Sequence, residues 1–266
     1  MKKSSIVREK KISKSTDQNE LRSKNDLLYQ DRIEQHYEQS GGNFSQKMQS
    51  FPRFVSRQQQ AIYLFKWELF QKVLPIHGSI AEFGVFMGSG IFSFASFSAI
   101  AEPFNYQRRI VGFDTFEGFA GISKHDTVTS DHSSLLKKGG FGVTKNLYED
   151  LQEAAEVFDL NRPIPHIPKI ELVKGDIFKS LPQFLKTNPH FLLSLLYLDL
   201  DLYEPTLFAL EQLYDRVVPG GIVAFDELNN PQWPGETKAY LEFFKGKAGR
   251  LQKCSFEPLR SYFVKE

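Results

Sequence analysis

The chain has 266 residues, with 33 Lys and Arg against 32 Asp and Glu and a net charge of +1. That balance excludes a surface built around nucleic acid or an anionic membrane. Hydrophobic residues make up 41% and aromatic residues 14%, including 25 Phe, which excludes a disordered chain and supplies a core without staples.

Residues 1–27 are polar and basic, without hydrophobic periodicity, and read as a flexible or loosely helical arm. No apolar stretch follows the basic start, so it does not read as a secretory signal. No apolar run approaches the ~20 residues of a membrane-spanning helix, and a cytoplasmic protein is expected. Residues 28–50 are transitional and contain a Ser-Gly-Gly break. The expected organisation is an arm over 1–50 and a larger domain over 51–266. Between 53 and 74, Ile62, Phe65, Leu69 and Val73 recur at helical spacing and give one apolar face. Short strands are expected at 80–83, 109–113 and 170–174, with a Phe-rich helix at 89–101. The run FLLSLLYL at 191–198 reads as a central parallel strand buried on both faces. Pro205 opens the next helix, which Pro219-Gly220-Gly221 ends before a fifth strand at 222–225. A helix over 235–245 and two final strands at 251–256 and 260–264 complete the pattern. Strand–helix alternation with short connections predicts a doubly wound α/β sheet. A long polar loop at 121–144 interrupts the rhythm at the edge where such sheets bind ligands. The lone cysteine, Cys254, excludes an internal disulfide and reads as a small buried hydrophobe.

Five motifs fall at strand ends. Glu82-Phe-Gly84-Val-Phe-Met-Gly88-Ser-Gly90 is a strand-to-helix turn whose glycines admit close approach of a ligand. Its spacing is not that of a dinucleotide fingerprint, and the acid beside it suits a ligand bearing an ammonium. An ordinary tight turn with a solvated glutamate is the alternative. Asp114 closes the second strand, where a carboxylate accepts ribose hydroxyls or merely makes an Asx-turn. Asp176 and Ile177 follow the third strand and are placed to meet a nucleobase, or equally to cap a helix. Asp199 and Asp201 end the most buried strand, and Asp226 and Glu227 end the next. Clustered carboxylates raise one another's pKa unless a cation lies between them. Asp199, Asp226 and Glu227 are therefore the candidate ligands of Mg²⁺ or a similar hard ion, with Asp201 in reserve. Helix capping or pairing with Arg and Lys is the other reading of these acids. Asp199 is also the candidate general base, with His132 or His125 of the long loop as the runner-up.

In this order the motifs resemble a class I S-adenosylmethionine-dependent methyltransferase, from about residue 51 to 265. The resemblance is closest to the macrocin O-methyltransferase family, the tylosin-pathway type that methylates sugar hydroxyls. It is carried by EFGVFMGSG at 82–90, GFDTFEGF at 112–119, LDLDLYEPT at 198–206 and PGGIVAFDE at 219–227. It implies a mostly parallel sheet of seven strands, the last antiparallel. It implies that Glu82 and the backbone of Gly84, Gly88 and Gly90 hold the methionine end of the methyl donor, and Asp114 its ribose. Asp199, Asp226 and Glu227 fall on the family's magnesium positions. Glu227 departs from the Asp often found there, and the segments at 121–144 and 231–237 depart from the family pattern. The expected function is metal-dependent methylation of a hydroxyl on a sugar or sugar-containing small molecule. A metal-independent methyltransferase, a nicotinamide-dependent oxidoreductase and a non-catalytic binding protein of the same fold are the alternatives. The arm and the helix at 62–73 are candidate contacts of a homo-oligomer.

Overall fold

The computed structural model describes residues 23–126, 136–142 and 146–266. The chain divides into two compact units, one ending at Phe54 and one beginning at Val55. In the first, helix α1 (Lys24–Gln39) starts at a reciprocal cap between Ser23 and Asp26, and α2 (Phe44–Gln49) at one between Asn43 and Gln46. Such caps satisfy backbone N–H groups that the first turn leaves free. They make helices of a segment that shows no strong apolar stripe.

The second unit is built on seven strands: β1 (Ser79–Phe83), β2 (Ile110–Asp114), β3 (Ile170–Lys174), β4 (Leu193–Leu198), β5 (Val217–Phe225), β6 (Gln252–Cys254) and β7 (Glu257–Val264). Their order across the sheet is β3-β2-β1-β4-β5-β7-β6. The first five are parallel to their neighbours, and β7 enters antiparallel between β5 and β6. The strand order reverses between β1 and β4, so the ligand crevice of such a sheet opens above their carboxyl ends.

Successive residues of each strand face opposite cores, as the two-residue period requires. Ile80, Ile110, Leu195, Tyr197 and Ile222 pack under α3 (Arg57–Val73), α4 (Ser89–Ala101) and α5 (Leu147–Leu160). Ala81, Phe83, Val111, Leu196 and Val223 face α6 (Ile177–Thr187), α7 (Tyr203–Leu213) and α8 (Gly235–Phe244). Trp67 of α3 lies against Phe70 and Phe97, with ring centroids 6.0 and 5.1 Å away. At the opposite end of the sheet from the crevice, Arg108 is 4% exposed and ties the elements together. It pairs with Glu102 at 2.6 Å and donates to the carbonyls of Leu74, Ile76 and Gly78 and to Ser194 Oγ. A cation there answers the free carbonyls at the end of α3.

Three features differ from the sequence reading. Pro219-Gly220-Gly221 does not precede β5 but lies inside it. Pairing with β4 shifts register between Leu193 and Leu195, and a bulge of this kind accommodates a proline that cannot donate to the ladder. Helix α5 follows the long loop, unforeseen because its apolar positions are diluted by acids. Cys254 is buried but not purely apolar in its surroundings, since its thiol donates to Glu68 Oε2 at 2.9 Å.

Candidate active site

The turn after β1 is held by close backbone approach. Gly84 has φ +85°, and a Cβ there would lie 1.7 Å from the carbonyl oxygen of Asp199, so only glycine fits between β1 and β4. Glu82 is 1% exposed at the end of β1. Its Oε1 accepts from Lys66 Nζ of α3 at 2.9 Å, while Oε2 is buried with no partner. Burial pushes the Glu82 carboxyl above the usual range, and Lys66 works against that rise. Gly90, in the first turn of α4, faces the pair directly: a Cβ would lie 1.7 Å from Glu82 Oε1. Gly88 ends the turn with φ +85° as the residue before α4. Of the four residues that the resemblance assigns to the methyl donor, Glu82 and Gly90 are in close approach, and Glu82 carries the one buried oxygen without a partner among them.

Asp114 ends β2 beside this turn. Its Oδ2 accepts from the N–H of Phe86 at 2.9 Å and its Oδ1 from the N–H of Phe116 at 2.7 Å. It thus fastens the glycine turn to the end of β2, and both neighbouring Phe residues have positive φ (47° and 57°). Asp176 spends its side chain on the first turn of α6, accepting from Phe178 N–H at 3.1 Å. Ile177 is 8% exposed and belongs to the apolar layer with Phe113 and Leu181. Asp176 thus makes the helix cap that was its alternative reading, through one of its two oxygens, and Ile177 contributes to the core.

The acids of β4 and β5 do converge on one edge. Asp199 N–H bonds to Phe83 O at 2.9 Å, which sets its position beside the glycine turn. Desolvation, then the charges of Asp226 and Asp201, push its carboxyl well above the ordinary value, with Lys66 opposing. Asp201 is pushed up to about 8, by desolvation and then by Glu227 and Asp226. Asp226 is 4% exposed and fully engaged. Arg260 of β7 grasps both its oxygens, and Tyr197 Oη of β4 donates to Oδ1 at 2.7 Å. Glu227 is raised by burial and by Asp226, and accepts from Asn230 Nδ2. Glu236 of α8 is fully buried and bridges the two strand ends. Its Oε1 accepts from Leu200 N–H at 3.1 Å and its Oε2 from Glu227 N–H at 2.9 Å.

This arrangement bears on the expected magnesium site. Asp226 is neutralised by a guanidinium fork, a geometry that satisfies a carboxylate in two directions at once. Among the described residues no group of three His, Cys, Asp or Glu side chains is disposed to hold a metal ion. Asp199, Asp226 and Glu227 meet at one edge, but as placed they do not fit the ligand set expected of them.

Loop residues pack beside the glycine turn and the start of α7. Asp126 is 2% exposed and accepts from Ser123 N–H and Oγ and from Tyr203 N–H at 2.7 Å, capping α7 from outside. His125 stacks on Tyr203 with centroids 4.3 Å apart. His132 lies outside the described residues. Phe119, Phe141 and Trp233 form a ring cluster, Phe141 lying 5.4 Å from Phe119 and 5.6 Å from Trp233. Phe86 touches it from the glycine turn, 6.2 Å from Phe141.

Sequence reasoning missed Lys66, Arg260, Tyr197 and Glu236. Each is a polar residue at an apolar-face or strand position, and that mismatch is the one signal they carried.

The fold and the carboxyl-edge site define a class I S-adenosylmethionine-dependent methyltransferase. The macrocin O-methyltransferase (TylF) family model matches residues 69–248. The crystal structure of CalS11, a calicheamicin methyltransferase, is 33% identical, with a TM-score of 0.87 over 91% of this chain and 93% of that one. The apo structure of CalS11, described as a TDP-rhamnose 3'-O-methyltransferase of calicheamicin biosynthesis, gives 30% and 0.78, covering 91% and 95%. The O-methyltransferase NovP shares the fold at 20% identity, with a TM-score of 0.59 over 77% and 79% of the two chains. No curated protein matches the chain. The chain belongs to the macrocin O-methyltransferase family, and its activity is S-adenosylmethionine-dependent O-methylation. No helix among the described residues is long and apolar enough to cross a membrane.

Proposed function

We propose that the enzyme methylates a hydroxyl of a sugar, of the nucleotide-linked deoxyhexose kind on which CalS11 is described as acting, with Asp199 as the proton acceptor. The observation that carries the reading is the placement of Asp199, a carboxylate of raised pKa whose backbone lies against Gly84 of the donor turn. When bound, the donor supplies an electrophilic methyl group on a sulfonium. Glu82 receives its methionine end and Asp114 its ribose. Asp199 takes the hydroxyl proton as the acceptor oxygen attacks the methyl carbon and the methyl–sulfur bond breaks, its electrons leaving with the neutral thioether; this is general-base catalysis by a carboxylate made more basic by burial and by its acidic neighbours. The loop bearing His125 and the ring cluster around Trp233 align the acceptor and exclude water, a proximity effect.

No step is assigned to a metal ion, because Arg260 holds Asp226. Turnover measured after EDTA dialysis, and again after Mg²⁺ is restored, tests that assignment. Chelation-sensitive activity restored by Mg²⁺ would mean that Arg260 releases Asp226 in the working enzyme. The function itself is tested by incubating the protein with S-adenosylmethionine and TDP-rhamnose. A product heavier by one methyl group supports the proposal. Donor binding without methylation of that sugar or of a panel of glycosides would favour a binding protein.

A further inference from the structure

Lys66 is 5% exposed on the inner face of α3. Its ammonium lies 2.9 Å from Glu82 Oε1, 4.5 Å from the Tyr197 ring centroid and 5.8 Å from that of Phe94. Buried ion pairs are poor sources of stability, and an apolar residue of similar volume packs at least as well. Packing alone therefore does not call for lysine here.

Three observations connect this ammonium to the methyl donor. Glu82 Oε2 is buried and has no hydrogen-bond partner, so one lobe of the carboxylate is reserved. A Cβ at Gly90 would lie 2.2 Å from Lys66 Nζ, which puts the pair directly against the first turn of α4. The other charged groups acting on Glu82 are Asp226 of β5 and Asp114 of β2, and both oppose its ionisation. Lys66 is the cation that counters them.

We propose that Lys66 is a positioning residue for the methyl donor: it holds Glu82 ionised and turned, so that Oε2 receives the ammonium of the donor's amino-acid tail. This rests on the reading of Glu82 as the partner of the donor's methionine end. An ionised carboxylate only accepts hydrogen bonds, whereas a protonated one presents an O–H to an ammonium that has only donors. Lys66 itself makes no bond to the donor. Its removal therefore weakens recognition of the tail and leaves recognition of the nucleoside intact.

The test is calorimetric titration of two ligands. S-adenosylhomocysteine carries the tail, and 5'-methylthioadenosine has the same nucleoside without it. Wild-type protein, Lys66→Met, Lys66→Arg and Glu82→Gln are compared from pH 6 to pH 8.5. Lys66→Met should weaken S-adenosylhomocysteine binding on the order of tenfold at pH 7, the scale of one lost charge-assisted hydrogen bond. It should regain affinity as pH rises and Glu82 loses its proton. Binding of 5'-methylthioadenosine should not change, and Lys66→Arg should behave as wild type. Equal weakening of both ligands, or unchanged S-adenosylhomocysteine affinity in Lys66→Met, overturns the proposal. If Glu82→Gln has no effect on the tail, the reading of Glu82 falls and the proposal falls with it. A loss in Glu82→Gln with none in Lys66→Met sinks the role of Lys66 alone. Should Lys66→Met fail to fold, the double variant Lys66→Met/Glu82→Gln, which buries no unpaired charge, replaces it. It should bind 5'-methylthioadenosine normally and S-adenosylhomocysteine weakly at every pH. Wild-type affinity for both would overturn the proposal.

Discussion

Arg260 bonds to Asp226 through two parallel contacts, Nε to Oδ1 and Nη2 to Oδ2, each 2.6 Å long. The pair joins the antiparallel β7 to the end of β5, and Glu257 adds a second carboxylate beside the guanidinium at 3.3 Å. Replacing Arg260 with Leu leaves Asp226 buried without a counter-charge. That costs on the order of 3–5 kcal/mol of stability, measured as a shift of the urea midpoint. The double variant Arg260→Leu/Asp226→Asn should recover much of the loss. Failure to recover would mean that Arg260 acts through packing rather than charge.

Asp199 is the proposed base, so Asp199→Asn removes proton transfer while keeping shape. A general base contributes on the order of 10²–10⁴ in rate, and kcat should fall by that factor. Calorimetric affinity for S-adenosylhomocysteine should stay close to wild type. Undiminished turnover would refute the assignment.

The raised carboxyls give a signed pH dependence. Asp201 is pushed up from 3.8 to about 8 in the folded protein. The folded state therefore favours its protonated form, and that stabilisation is present below the unfolded value. It is lost as pH rises toward 8. Thermal stability should decline across that interval, and Asp201→Asn should flatten the decline. A flat stability profile would show that Asp201 does not titrate there.

Gly84→Ala tests the contact between β1 and β4. The added methyl meets the Asp199 carbonyl at 1.7 Å, in backbone of φ +85° that alanine rarely adopts. Donor binding and turnover should both be lost, and the protein should melt earlier. An active Gly84→Ala enzyme would mean that β1 and β4 part readily at this point.

Arg108→Met probes the far end of the sheet. It strands Glu102 and several backbone carbonyls that Arg108 now satisfies. A loss of about 3–5 kcal/mol is expected for breaking a buried pair, with the donor dissociation constant unchanged once the protein is folded. An altered donor constant would tie the two ends of the sheet together.

The parallel strands were legible because apolar runs such as 191–198 have few other fates in a chain of this composition. The acids were legible as a set, since each stands where a strand ends. What was not legible is pairing across distance. Arg260 meets Asp226 over 34 residues of chain, and Glu236 reaches Leu200 over 36. No local spacing encodes such contacts. The same limit applies to Asp114, which ends β2 as expected but reaches back 28 residues to the N–H of Phe86, whereas Asp176 bonds locally to the N–H of Phe178.

The protein has two tryptophans, and they stand in different places. Trp67 lies against Phe70 and Phe97, whereas Trp233 lies among Phe119 and Phe141 at the proposed acceptor wall. The molecule therefore carries its own pair of optical probes, one a half-buried reference packed against the core and one among the rings beside the glycine turn. Emission that changes in a Trp67→Phe protein but not in a Trp233→Phe protein reports an acceptor arriving, with no label attached.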